Sequence, residues 1–425
     1  MSGQSPVSRR NIPDLLQVPV EQHDLPWLKE ALQWAVELEF ATIPVYLSGM
    51  WSIKTPTPDD PNSAYALIRG VVLEEMLHMG LACNMLTAIG GIPQITAPSF
   101  PGPLPGGVQP QLMVYLAGLS PTLLETYMQI ELPEHPLAEA ESFPTIGAFY
   151  DAISAAFTAL FPPGHQFPKT NQIDQFDIRV GKLTETLNAL ESLDDVQKAI
   201  TTIKEQGEGT STSPDAPQYG GELAHYYRFG EIFHGRKLIE VDGHWQYTSD
   251  EVVSFPACYP VKRVPAEGYP GGPSMQTFDE TYSMLIGQLQ DAWSGHSDKL
   301  GAAVGTMFSL TQIARDIVTQ PLPDGSGNYG PDFKVSAAGI GVGVTAAVSF
   351  ATDILPLFTA QDIGCMTPLG VLVNDFTYMS KPANARAVLD QVSSGQMPEP
   401  GSGEPPWDRA KVQLLQDWID AGFPS

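Results

Sequence analysis

Two Glu-x-x-His motifs stand far apart in this chain, Glu75-Met76-Leu77-His78 and Glu222-Leu223-Ala224-His225, each in a stretch whose apolar periodicity predicts a helix. An α-helix turns once every 3.6 residues or so, and a Glu and a His three apart therefore project from one face and can both reach a single cation. In helical bundles that hold two metal ions, two helices each supply such a pair and the other two each supply a carboxylate. A chain built to this rule must gather four helices round a polar centre, which makes it mainly helical.

Chance does not account for the motifs. Eight histidines at ordinary Glu usage would give about half an accidental Glu-x-x-His, and this chain has three. The third, Glu231 to His234, lies nine residues after the second. At about 100° per residue it points the opposite way round one helix, and only one of the two can face a common centre. On a helix spanning Gly221 to Gly235, Glu222 and His225 share the stripe of Tyr226, Phe229, Ile232 and Phe233, so this pair is read as the ligands and Glu231 with His234 as surface or supporting groups. Glu75 and His78 share theirs with Ile68, Val71, Ala82 and Met85, a dry face on which polar groups need partners. Glu39, between Val36 and Ile43 on a helix Leu25 to Trp51, is a third inward acid, whereas Glu37 belongs on the helix surface and Glu74 is a solvated or supporting acid. The fourth carboxylate is either Glu131, at the end of a helix Pro121 to Glu131, or Asp151, beside Phe149 and Tyr150, and spacing does not choose between them. Tyr46, Tyr226 and Tyr227 are candidates for hydrogen-bond donors or electron relays near the centre, with packing as the blander role. Carboxylate oxygens and imidazoles suit iron, or manganese, better than soft metals. Without a cation, so many close acids would repel one another.

A formal charge of −26, from 22 basic and 48 acidic residues, leaves no basic excess to neutralise phosphates, which argues against a nucleic-acid or anionic-membrane partner. Three cysteines without a Cys-x-x-Cys pair exclude a disulfide framework and a thiolate zinc site, and fit a reducing cytoplasm. Met1 to Asn11 is followed by no apolar run, so export is not indicated. Ala337 to Ala351 is Gly-rich, shorter than a bilayer crossing, and reads as a buried connector. The expected organisation is an N-terminal extension (1–24), a helical metal domain (25–335), a linker (336–352) and a small helical module (353–425). Within it, helices are expected from Ser63 to Ile89, Thr145 to Leu160, Leu183 to Gln206, Thr277 to Trp293, Ser297 to Gln320 and Asp408 to Ala421. Alternation on both sides of Asp242-Gly243 predicts a β-hairpin with a type I′ turn.

Taken together, ELEFATIPVYL (Glu37 to Leu47), LEEMLHMGLACNMLTAIGG (Leu73 to Gly91), TIGAFYDAI (Thr145 to Ile153), ELAHYYRFGEI (Glu222 to Ile232) and YPVKRVP (Tyr259 to Pro265) resemble the ferritin-like domain of the iminophenyl-pyruvate dimer synthases, relatives of enzymes of violacein and rebeccamycin biosynthesis. The resemblance covers roughly Leu25 to Val335. It implies a ferritin-like four-helix bundle with extra helices, a non-haem di-iron site, and an oxidative reaction in specialised metabolism. Dioxygen or peroxide would act there on a small amino-acid-derived imine or enamine. By motif it carries Glu39, Glu75, His78, Glu222 and His225 over as metal residues. A ferritin-like ferroxidase or a di-manganese catalase would use a similar donor set, and a homodimer is compatible with either. Residues 353–425, with GQMPEPG at Gly395 to Gly401 and LLQDWIDAGFP at Leu414 to Pro424, resemble a cytochrome-c-type module, but no Cys-x-x-Cys-His attaches haem, and Met397 reads as a core or turn methionine.

Overall fold

The computed structural model describes residues 9–133, 146–180, 183–209, 213–216, 222–269, 271–336, 350, 354–393, 397–398, 407 and 409–420. The chain divides into two compact units, Met1–Ile340 and Gly341–Ser425.

In the first unit a short helix α1 (Ile12–Leu16) buries Ile12 and Leu15 and accepts the indole N–H of Trp27 on the Leu15 carbonyl at 3.1 Å, which ties the N-terminal stretch to the bundle. The long helix α2 (Leu25–Trp51) opens on Asp24, whose carboxylate caps the Trp27 amide at 2.9 Å, and continues through Pro44. Helix α3 (Ala64–Ala88) opens on Ser63, which caps the Ala66 amide, and stops at Gly90, where the left-handed backbone (φ 70°) favours glycine. Lys29, early in α2, bonds the Gly90 carbonyl beyond the end of α3, so the two helices run antiparallel. Both are apolar nearly all round, as befits central helices, and each fully buried Leu or Ile contributes about 2 kcal/mol.

Helices α4 (Pro121–Ile130) and α5 (Ile146–Leu160) follow. A hairpin of β1 (Phe176–Val180) and β2 (Leu183–Leu187) then packs on α3. There a Cβ on Gly80 would come within 2.7 Å of the Leu187 side chain, so any larger residue would have to displace Leu187. Helix α6 (Leu193–Glu208) begins with a Ser192–Asp195 capping box. The expected helix from Leu183 is thus corrected: the Thr-containing alternation of Leu183 to Leu187 pairs in register with Phe176–Val180, and Ser192 sets the true start. A second correction concerns α7. Strands β3 (Asp215–Ala216) and β4 (Glu222–Leu223) pair, so α7 (His225–His234) starts only at the histidine. It ends at Gly235 in the left-handed conformation (φ 73°). Strands β5 (Ile239–Val241) and β6 (His244–Gln246) form the hairpin over Asp242-Gly243, both at positive φ as a type I′ turn requires. Helices α8 (Met275–Ala292) and α9 (Lys299–Val318) pair with each other, and α9 packs on α2. Helix α4 packs with α7 and α5 with α6, and all four contact the α2–α3 pair.

The second unit contains α10 (Ala360–Met366), α11 (Phe376–Met379), α12 (Pro382–Ser393) and α13 (Arg409–Asp420) round a core that includes Ile354, Val388, Met397, Leu415 and Trp418. Met397 is therefore a core methionine. Of the expected linker at 336–352, only Ser336 and Phe350 lie among the described residues. No helix among the described residues is long and apolar enough to cross a membrane.

Candidate metal centre

Two groups of side chains converge in the middle of the first unit, all of them buried: Glu39, Glu75 and His78, and Glu75, Glu131 and His225. In each group the nearest ligand atoms lie within 4.8 Å of one another, and Glu75 belongs to both. His78 Nδ1 is 3.7 Å from Glu39 Oε2 and 3.7 Å from Glu75 Oε1. His225 Nδ1 is 2.8 Å from the same Glu75 oxygen and 3.5 Å from Glu131 Oε2. The two imidazole rings stack at 5.5 Å with 21° between their planes.

Each carboxylate has one oxygen held by a hydroxyl and the other turned to a histidine. Tyr150 on α5 donates to Glu39 Oε1 at 2.6 Å, Thr42 on α2 donates to Glu75 Oε2 at 2.7 Å, and Tyr46 on α2 donates to Glu131 Oε1. The histidines are held in the same manner from outside. Nε2 of His225 lies 2.9 Å from Glu74 Oε2, and Nε2 of His78 lies 2.8 Å from Gln206 Oε1 on α6. An ionised Glu74 can only accept, so Nε2 of His225 carries a proton and Nδ1 is the atom that would offer a lone pair to a cation once its own proton is displaced. That buried Nδ1 faces Glu75 and Glu131, the acids of the centre. Glu74 is fixed in turn by the Arg228 guanidinium through both of its oxygens. Carboxylates and carbonyls that hold the far nitrogen of a metal-binding histidine are the usual support of such sites.

Burial is the largest influence on every ionisable group here, and it disfavours charge. Glu39 and Glu131 are left above the ordinary carboxylate range, because neighbouring imidazoles offset burial only in part. For Glu75, between the two rings, the imidazoles win and the carboxyl is held well below that range. Burial alone would lower both histidines, yet the acids around them hold their protons on. His78 is pushed up to about 10 and His225 well above its usual value. Glu74 is brought down to about 2, since Arg228 and His225 overcome the cost of burying it. With neutral imidazoles the inner set carries three negative charges. In the protein alone protons on the histidines compensate them. Metal binding exchanges such protons for a cation. The donor set, the Nδ1 of His225 turned to the acids of the centre and a cavity of about 30 Å³ lined by Glu39, Thr42, Glu75, His78 and Glu131 all fit a pair of hard or borderline cations.

The structure thus brings together Glu39, Glu75, His78, His225 and Glu131, and leaves two expected residues outside. Glu222 sits in β4, ahead of α7, and its side chain is turned to the rim of a different pocket. The one-face rule fails for it because the residues between it and His225 are not helical. Asp151 is exposed and ion-paired with Lys204 at 2.5 Å. Glu131 is the acid at the end of α4 that reaches the centre. Tyr46 touches it through Glu131, whereas Tyr226 and Tyr227 pack edge-on against each other in a separate cluster with Leu238 and Trp245. Glu231 pairs with Lys237, and His234 stacks on Tyr247. Sequence reasoning missed Thr42, Tyr150, Gln206 and the Glu74–Arg228 pair. The one local signal was two adjacent acids, Glu74 and Glu75, inside an otherwise apolar helix.

Residues 32–234 match the family model described as "Ferritin-like". A crystal structure of a ferritin-like protein from Caulobacter vibrioides is 23% identical, covers 68% of this chain and 96% of its own, and superposes with a TM-score of 0.47. No curated protein matches. The fold is mainly helical with a ferritin-like domain, as expected from the sequence, and that domain holds a buried carboxylate and histidine group able to bind metal.

Proposed function

We propose that this protein is a non-haem di-iron oxidoreductase that uses dioxygen or peroxide to oxidise a small amino-acid-derived substrate of imine or enamine type. The observation that carries the metal reading is the sharing of Glu75 by two three-residue groups, each with its own histidine and a second carboxylate. Glu39, His78 and Glu75 would hold one ion, and Glu131, His225 and Glu75 the other. Oxygen-rich sites with one imidazole each suit iron or manganese, and a pair of iron ions held there would supply the electrons needed to activate dioxygen or peroxide.

The protein's own part is to orient, to exclude water and to keep protons in place. Thr42 fixes one oxygen of Glu75 and leaves the other for the centre. Gln206 and Glu74 set the ring directions of His78 and His225. Burial, reinforced by Glu131 for Tyr46 and by Glu39 for Tyr150, pushes both phenols far up, so their hydroxyls stay protonated and donate to the carboxylates. The substrate class is supported by the sequence resemblance alone. Elemental analysis of iron-loaded protein is expected to give two irons per chain, with oxygen uptake that depends on an added imino acid. A chain that binds no metal when loaded sinks the proposal. Oxygen evolved from peroxide without a reductant would assign a catalase instead, and oxidation of ferrous iron alone a ferroxidase.

A further inference from the structure

A second pocket, about 760 Å³ in volume, opens on the far side of Glu74 from His225. That is the size of a small-molecule site. Its charged lining holds Arg69, Arg228 and Lys237 with Glu74, Glu185, Glu222, Glu231, Asp59 and Asp215, the last bonded to Ser213. Arg228 is paired with Glu74, and Lys237 with Glu231. Arg69 has no such partner among the described residues. Its side chain is buried, with 9% of the residue exposed, and its one hydrogen bond there runs from Nη2 to the Pro58 carbonyl at 2.9 Å. Its Nε is buried and has no acceptor among the described residues. Its guanidinium lies 6.0 Å from the centroid of the Tyr65 ring, a weak partner at that distance. A guanidinium withdrawn from water without an ion pair is costly, and an anion would complete it. The same pocket is lined by Glu185 and Glu222, whose carboxylates have no hydrogen bond or direct ion pair among the described residues and share only the more distant charge of Arg228, already bonded to Glu74.

An anion alone would satisfy Arg69 but meet two unpaired carboxylates. A cation alone would leave Arg69 bare. One kind of ligand answers both. We propose that this pocket binds a small zwitterion, with Arg69 taking its carboxylate and Glu185 and Glu222 taking its ammonium group, while Leu67, Leu73 and Leu238 cover an aliphatic body. The site is separate from the metal ligands and does not depend on the oxidoreductase proposal, although Glu74 and Arg228 form a wall common to both.

Calorimetric titration of the full-length protein with three probes of one shape tests this: L-leucine, 4-methylpentanoate and 3-methylbutylamine. L-Leucine is expected to bind at least about tenfold more tightly than either singly charged analogue, as charge-assisted pairs at both ends require. Arg69→Gln should weaken L-leucine about tenfold and leave 3-methylbutylamine unchanged, and Glu222→Gln should weaken L-leucine and not 4-methylpentanoate. Glu222 is exposed and outside the core, so its variant is expected to fold even if the Arg69 variant does not. The assignment is overturned if no probe binds, if either analogue matches L-leucine, or if both variants bind L-leucine as the native protein does. Heat of binding is read without turnover, and a metal count on the same samples shows whether the centre itself is intact.

Discussion

In α3 the glutamate and histidine of the Glu-x-x-His motif stand one turn apart in mid-helix, and both reach the centre. At α7 the same spelling delivers only the histidine. The helix starts at His225 because the residues before it are drawn into β4, so Glu222 does not reach the centre, and the acids there are Glu39, Glu75 and, from the end of α4, the fourth carboxylate Glu131. The i, i+3 rule is a statement about helix geometry and lapses where the helix has not begun. What survives at α7 is the outer support: Glu74, next to Glu75 on α3, holds the far nitrogen of His225, much as Gln206 holds that of His78.

The sharpest test of this asymmetry is a pair of alanine substitutions. Glu75→Ala removes the shared carboxylate and is expected to cost more than about 100-fold in affinity for both ions, above the range seen for supporting residues, whereas Glu222→Ala leaves the metal content at the native level by elemental analysis. Loss of metal from the Glu222 variant would return Glu222 to the ligands and sink the set of five residues. Next in size, Glu131→Gln and Glu39→Gln should each empty one position and spare the other, giving one ion per chain. Equal loss of both ions from either variant would show that the positions are not separable. A smaller effect is expected from the outer supports. Glu74→Gln and Gln206→Ala should each weaken metal binding by roughly 10–100-fold, measured by competition with a chelator, without changing the number of ions bound.

The smallest effect concerns a pair of acids that lack imidazole neighbours. Asp279 on α8 lies beside Asp332, and burial together with that second carboxyl raises Asp279 to about 7. The folded form therefore holds its proton more tightly than the unfolded chain. The associated stability is fully present below about pH 4 and is lost as pH rises through about 7. Asp279 is partly exposed, so with solvent screening this amounts to about 1 kcal/mol. Thermal melts at pH 5 and pH 8 should differ in the native protein and converge in Asp279→Asn. An unchanged difference would remove this pair from the account.

The ends of α2 and α3 were legible because their signals are local: Asp24 and Ser63 cap the very next turn, and Gly90 breaks it. Glu39, Glu75 and His78 could be chosen because an acid or imidazole on an apolar stripe of a correctly placed helix has one direction to point. The start of α7 is set by Asp215–Ala216 pairing with Glu222–Leu223, a contact that no pattern within the helix announces. Residues Leu183 to Leu187 fail for a related reason, since a five-residue apolar alternation fits strand or helix until its partner is known. Glu131 and Asp151 were equivalent on spacing, and only the third dimension separates an acid bonded to Tyr46 from one bonded to Lys204. Thr42, Tyr150 and Gln206 act across the bundle on residues more than thirty positions away, so nothing near them in the sequence marks them.

The order in which the inner residues occur, from Glu39 to His225, also bears on how the protein is made. At a translation speed of about 5–20 residues per second, the first acid leaves the ribosome roughly 10–40 s before the last imidazole. For part of that interval Glu39, Glu75 and His78 are available without Glu131 and His225, so one of the two groups is complete while the other has only the shared Glu75. Loading of both positions therefore belongs after synthesis of α7, and a nascent chain stalled ahead of His225 should hold at most one ion.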